Sequence, residues 1–181
     1  MSAASIVGPA IRPVRDDERA ELARLVRADW GSSVIVSRGV AHEITELPCL
    51  LATQGGRWLG VAAYRLVGDE CELVLLEAFE RGHGIGTALL QATAEVARKS
   101  NGRRLWLVTT NSNLGALRFY QRRGMRLVRV WIDAVTEARL KVKPEIPLLG
   151  DHGIPIRDEL ELEMVLRGEG NDSPERQAIP I

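Results

Sequence analysis

The spacing of hydrophobic and polar positions changes several times along the chain, and each change marks an element. Residues 11–31, IRPVRDDERAELARLVRADWG, open as a short strand and then take helical spacing, with Leu22, Leu25 and Val26 on one face. Asp16 or Asp17 is placed to cap that helix, the acidic first turn suits its dipole, and Gly31 stops it. The stretch SSVIVSRGVAHEITELP reads as a connector with a short helix from about residue 39 to 46, closed by Pro48. Three strands follow: CLLATQ, a Gly55-Gly56 turn, RWLGVAAYRLVG, a GDE turn, and CELVLLEAF. Their short turns predict an antiparallel meander.

Residues 84–100 form the strongest helical pattern, with Ile85, Leu89, Ala92 and Val96 on one face and Asn101-Gly102 as the stop. RRLWLVTT is almost uninterrupted apolar, as expected of a strand buried on both faces. NSNLGALRFYQRRG is a helix ending at Gly124, and MRLVRVWIDAV another strand. Residues 134–157 make a long connection with a helical turn and markers at Pro144, Pro147, Gly150 and Gly153. In the last strand, RDELELEMVLRG, Leu160, Leu162, Met164 and Leu166 alternate with Glu161, Glu163 and Val165. The order β-α-α-β-β-β-α-β-α-β-β predicts a mixed α/β fold, one mixed sheet with helices on both faces. Residues 1–10 read as a flexible leader, 11–167 as one domain and 168–181 as a disordered tail.

Composition narrows the function classes. The chain has 181 residues and zero formal net charge, so no global field attracts nucleic acid or an anionic membrane, and neither is expected as a partner. Nearly all positive charge is arginine, with lysines only at Lys99, Lys141 and Lys143; arginine's planar fork suits phosphate and carboxylate. Cys49 and Cys71 are expected as small buried residues. His42, His83 and His152 lack metal-ligand spacing, so no metal is expected. No apolar run approaches the roughly 20 residues that span a bilayer. The start MSAASIVGPAIRP lacks the basic and apolar regions of a signal peptide, which makes the cytoplasm the expected location.

The chemistry concentrates in RGHGIG, Arg81 to Gly86, between a strand and a helix. The dinucleotide fingerprint needs a third glycine where Leu89 stands, and an acid after the next strand, which ends in Thr109 and Thr110. A P-loop needs a lysine that Gly86-Thr87 lacks. Two readings remain: a tight glycine turn, or a nest of N–H groups at a helix start that holds an anion. A second segment, NLGALRFYQRRGM, follows one strand later. Asn113, Ala116, Phe119, Tyr120 and Gly124 of that segment and Arg-x-x-Gly-x-Gly of the first match the two signatures of the Gcn5-related N-acetyltransferase (GNAT) family, with Met125 replacing the usual aromatic residue. The chain resembles that family over about residues 11–167.

The resemblance implies a central, mostly antiparallel sheet that splays open to admit acyl-CoA, with acetyl-CoA as the default donor. It implies that the backbone of Leu76 and Ala78 pairs with the pantetheine amides. Arg81, Gly82, His83, Gly84, Ile85, Gly86 and Thr87 would hold the pyrophosphate, and Asn113 would bond the cofactor. Arg118, Arg122 and Arg123 are near enough to reach the adenosine end, or simply form a solvated helix face. Tyr120 sits where the family places its general acid; a core aromatic is the plain alternative. Glu72 is the leading candidate base, on the strand that carries Leu76 and nominally on the same face, unless a bulge near the splay re-aims it; Glu70 and Glu77 stand behind it, Glu77 with the opposite parity. Trp30 and Arg38 are the candidate acceptor contacts, Trp30 as an aromatic wall and Arg38 as a carboxylate clamp, beside Ser37, His42 and Glu145. The implied activity is acetyl transfer to a small amine or amino-acid-like acceptor. A protein N-acetyltransferase and a non-catalytic acyl-CoA-binding module are the alternatives, and the last strand and long loop leave a homodimer open.

Overall fold

A computed structural model describes residues 8–80 and 83–166; residues 1–7, Arg81, Gly82 and residues 167–181 lie outside the described residues, and with them most of the expected leader and the tail. The elements in chain order are β1 (Ala10–Pro13), α1 (Arg19–Trp30), β2 (Val34–Ser37), β3 (Val40–Glu43), β4 (Cys49–Gln54), β5 (Arg57–Val67), β6 (Glu70–Ala78), α2 (Ile85–Lys99), β7 (Arg104–Thr110), α3 (Leu114–Gln121), β8 (Arg126–Trp131), α4 (Ala134–Lys141) and β9 (Glu159–Val165). Seven strands form one sheet in the order β1-β4-β5-β6-β7-β9-β8, and β2 and β3 form a separate hairpin. Every pairing in the large sheet is antiparallel except β6 with β7.

Both faces are covered at the central strands β4, β5 and β6, while the edge strand β8 is exposed. Val61 and Ala63 of β5 face a core built with Leu22 and Val26 of α1, while Ala62 faces the second core with Leu89, Leu90 and Ala94 of α2. That is the period-2 alternation of a strand buried on both sides. α2 follows its sequence pattern closely, but its most buried line is Ile85, Leu89, Leu90, Thr93, Ala94 and Ala97, while Ala92 and Val96 sit at the edge. β5, β6 and α2 meet at Gly60. A Cβ there would come within 2.5 Å of the Glu77 carbonyl and 2.9 Å of Ile85 Cγ2, so the close approach requires glycine.

The connector expected to contain a helix over residues 39–46 is instead the β2–β3 hairpin followed by one 3-10 turn at Ile44–Glu46. Its turn residues Arg38 and Gly39 both have left-handed φ, 50° and 75°. Two left-handed residues between β-branched runs make the primed turn that matches strand twist. The "helical turn" of the long connection is a two-turn helix, α4.

Candidate active site

β6 and β7 run parallel, yet only Glu70, Cys71 and Glu72 pair, with Arg104, Leu105 and Trp106. Beyond that step β6 continues to Ala78 and β7 to Thr110 without register between them. Glu72 and Trp106 thus stand at the vertex of a wedge. On the β6 wall, Phe79 donates its N–H to Leu59 O, toward β5. By antiparallel alternation, Leu76 and Ala78 turn their N–H and C=O into the wedge. Backbone groups without a strand partner need another one, and an extended ligand supplies it by strand addition.

The same strand carries a β-bulge. Ala63 pairs with Leu75 and Tyr64 with Leu73, which leaves Val74 as the extra residue. The bulge reverses side-chain parity. Cys71 and Leu73 face the α2 core, and beyond the bulge Leu76 faces it too. Simple alternation, which groups Glu72 with Leu76, therefore fails, and Glu77 joins Glu72 on the α1 face. There Trp30 Nε1 donates to Glu77 Oε2 at 2.9 Å.

A cavity of about 890 Å³ fills this side of the wedge. Glu77 and Ala78 of β6, Val108 and Thr110 of β7, Trp30 of α1 and Glu159 of β9 line it. Glu145, Ile146 and Pro147 of the long connection complete its wall. Tyr120 does not line this cavity: it is buried in the α2-side core, with the Phe119 ring edge-on at 5.0 Å. Burial raises its phenol pKa above the ordinary value and nearby Glu77 adds to the rise, so the hydroxyl is protonated at neutral pH.

Past Ala78 the chain turns through the glycine knuckle into α2. Gly84 is the N-cap, with φ at 75°, and no side chain caps the helix. The first N–H groups of α2 thus lack intrahelical acceptors, and the helix dipole favours an anion before them. A Cβ on Gly84 would meet no atom within 4 Å, whereas one on Gly86 would press the Phe119 ring at 3.1 Å. Gly84 serves the turn and its open face; Gly86 serves the packing of α2 on α3. Arg81 and Gly82 lie outside the described residues.

Beside the nest is a second cavity of about 500 Å³, lined by Thr87, Gly115, Arg118, Phe119, Arg122 and Arg123. Arg123 Nε donates to Thr87 Oγ1 at 2.7 Å and its guanidinium stacks on Phe119 at 3.6 Å. Three guanidinium groups at a helix start suit phosphates. Asn113 accepts from the Ala116 N–H at 3.0 Å through Oδ1, which explains the Asn-x-x-Ala spacing as a helix cap. Asn113 also lines the large cavity, where its amide NH2 can serve a ligand.

Glu72 and Arg38 stand elsewhere than the sequence suggests. Glu72 is 3% exposed and does not line the cavity. Ser37 Oγ donates to its Oε1 at 2.5 Å, and Arg65 Nε lies 2.8 Å from its Oε2, off the N–H axis, as an ion pair. Arg38 is not in the cavity wall either. Its guanidinium lies between two indoles, 5.0 Å from the Trp106 ring and 4.5 Å from that of Trp131, and its backbone N–H donates to Glu159 Oε2. A clamp for a substrate carboxylate is not what this geometry presents. His42 is buried on β3 of the hairpin, and burial lowers its pKa. Glu70 pairs with Arg104, which also bridges Glu161 and Glu163. Sequence reasoning missed Glu159, Trp106, Trp131 and Lys143. The signal for Glu159 was present in the acidic alternation of the last strand, which reads as a solvated face but is turned inward here: Glu159 and Glu161 are each 4% exposed.

A wedge-opened sheet, an N–H nest and an arginine-lined cavity define the class: an acyltransferase built on a splayed sheet. Comparison with known proteins agrees. The Acetyltransferase (GNAT) family matches residues 14–125. The uncharacterized protein YxbD of Bacillus subtilis (strain 168) is 44% identical over 135 residues, 74% of this chain and 84% of that protein. An IAA acetyltransferase from Bacillus cereus ATCC 14579 shares the fold with a TM-score of 0.66 at 21% identity, over 87% of this chain and 99% of its own. An acetyltransferase of Bacillus subtilis in complex with CoA gives 0.64 at 20% identity, over 87% and 98%. The chain belongs to the GNAT acetyltransferase family.

Proposed function

We propose that this enzyme transfers the acetyl group of acetyl-CoA to a primary amine of a small acceptor. The observation that carries the proposal is the wedge: the backbone of Leu76 and Ala78 opens into it, with the α2 nest and the arginine cavity at its phosphate end. A strand-like pantetheine arm with a charged nucleotide end matches that sequence of surfaces, and the CoA complex of the fold neighbour supports it. Acetyl-CoA supplies an acyl group on a thioester; the chain's own residues align it and handle protons. Glu77 faces the cavity, is held by Trp30, and takes the proton that the amine releases as its nitrogen bonds the acyl carbon. Tyr120, protonated through burial, gives a proton to the sulfur as the C–S bond breaks, and regains one by way of solvent. The products are the amide and CoA thiol. Glu72, the base suggested by sequence, instead anchors the hairpin at the vertex.

A small acceptor is favoured over a peptide because the long connection, through Glu145, Ile146 and Pro147, walls the cavity that a peptide would cross. The test is thiol release from acetyl-CoA with a panel of primary amines, alongside calorimetric binding of acetyl-CoA. Glu77→Gln should lower kcat about a hundredfold or more and remove the acid limb of its pH profile, and Tyr120→Phe should lower kcat with acetyl-CoA affinity retained. A wild-type protein that binds no acetyl-CoA would overturn the proposal.

A further inference from the structure

Among the described residues, the charged groups lining the cavity that receives the acceptor are mostly carboxylates. Among the described residues its wall carries Asp29, Glu77, Glu145, Asp151 and Glu159, against the single ammonium of Lys143. Lys143 is itself engaged: it is buried, and its Nζ donates to Val34 O at 2.7 Å. The other nearby cation, Arg38, is held between Trp106 and Trp131 and does not line the wall. Neither cation is placed to receive a substrate carboxylate.

Two carboxylates occupy opposite walls. Glu77 stands on β6, where the thioester end of the wedge lies, and Glu159 stands across the gap on β9, beside Thr110 of β7. Glu159 is 4% exposed, yet it lines the cavity. Among the described residues its one hydrogen-bond donor is the Arg38 N–H, on Oε2; no donor reaches Oε1. A carboxylate this buried normally has a cationic or multiple-donor partner. Here no side chain among the described residues donates to it, the Arg38 guanidinium acts on it only through space, and the residue lines a cavity open to a ligand. A small acceptor with a second ammonium meets that need, while a zwitterion brings its carboxylate against a negative wall.

We propose that the acceptor is an aliphatic diamine or polyamine, one ammonium held by Glu159 while the amine at the other end reaches Glu77 and the thioester. The inference rests on the transferase reading above and adds the acceptor's chemical class. Glu159 is then a specificity-determining residue, touching the substrate away from the reacting atoms.

The experiment compares kcat/KM for unbranched diamines of three to six carbons with the monoamine and the terminal amino acid of each length. A charge-assisted contact to a buried carboxylate is worth about tenfold to a hundredfold. At the best length the diamine should exceed the monoamine by that factor, and the amino acid should be poorest. In Glu159→Gln the diamine should lose most of this advantage, so that the ratio of diamine to monoamine moves toward one. Calorimetric binding of the same diamine to the complex with CoA reads the contact without turnover. Monoamines or amino acids used as well as diamines would overturn the inference and leave the transferase reading intact, as would an equal loss for both amines in Glu159→Gln. Diamine binding that weakens in the variant, with no turnover of any amine, would instead uphold the site and overturn the transferase reading. A diamine that neither binds nor reacts would overturn the inference.

Discussion

Removing Arg65 tests whether Glu72 is a structural anchor. Glu72 is buried at the vertex of the wedge, with Ser37 Oγ on one oxygen and Arg65 Nε 2.8 Å from the other. Arg65→Met keeps most of the side-chain volume and removes the only cation paired with that carboxylate among the described residues. Breaking a buried pair from one side costs about 3–5 kcal/mol, because the remaining charge stays out of water. The Arg65 side chain is 34% exposed, so water relieves part of this, and about 3 kcal/mol is expected. For a chain of this size that lowers Tm by about 6–12 °C. Glu72→Leu in the same background removes the stranded charge and should recover much of the loss. The assay is a double-mutant cycle on denaturant midpoints, with acetyl-CoA binding followed in each variant. A single variant costing under about 1 kcal/mol, or a double variant costing the sum of the two singles, would refute the buried-anchor argument.

Gly60→Ala places a methyl 2.5 Å from the Glu77 carbonyl and 2.9 Å from Ile85, so it should destabilise by about 1–3 kcal/mol and weaken acetyl-CoA binding, since Glu77 and Ala78 must shift; wild-type affinity in calorimetry would contradict this. Burial raises the Glu159 pKa, and nearby Glu72 adds to it. The folded state then binds this proton more tightly than the unfolded state, so stability falls as pH rises from the ordinary carboxylate range through the folded value. Glu159→Gln should therefore raise Tm at neutral pH, with the gain vanishing in acid; a gain that grows toward low pH would reverse the sign. Arg122→Glu should weaken acetyl-CoA binding while leaving binding of a pantetheine fragment nearly unchanged; equal losses for both would remove the arginine cavity from the phosphate role.

How much of this was legible depended on whether the signal was local. The α2 pattern, the glycine knuckle and the Asn113 to Gly124 segment are local, with periodicity, capping and left-handed turns all readable in short windows. The β2–β3 hairpin was readable in principle, from β-branched residues around Arg38-Gly39, but an arginine at a left-handed position hides the turn signal. That Glu77 rather than Glu72 faces the cavity was readable only as the chance of a bulge near the splay, not as its position. It depends on one extra residue, Val74, whose position is defined only by the pairing of β6 with β5. Glu159 failed for a related reason: an alternating acidic strand reads as half-solvated until the hairpin is known to lie over it.

That hairpin also bears on the order in which the chain assembles. β2 and β3 pair with no strand of the large sheet. They are held to it by Ser37 on Glu72, Arg38 against Trp106 and Trp131, and the Arg38 N–H on Glu159, and to the long connection by Lys143 on Val34. The Arg38–Glu159 contact alone closes a loop of 121 residues. Contacts of such long range carry their full closure entropy before they stabilise anything, so they form late. The meander and α2 with its N–H nest are short-range by comparison. In a refolding experiment, nucleotide-end affinity should therefore return before the acceptor wall closes, and a chain halted ahead of β9 would hold the α2 nest without a finished pocket beside it.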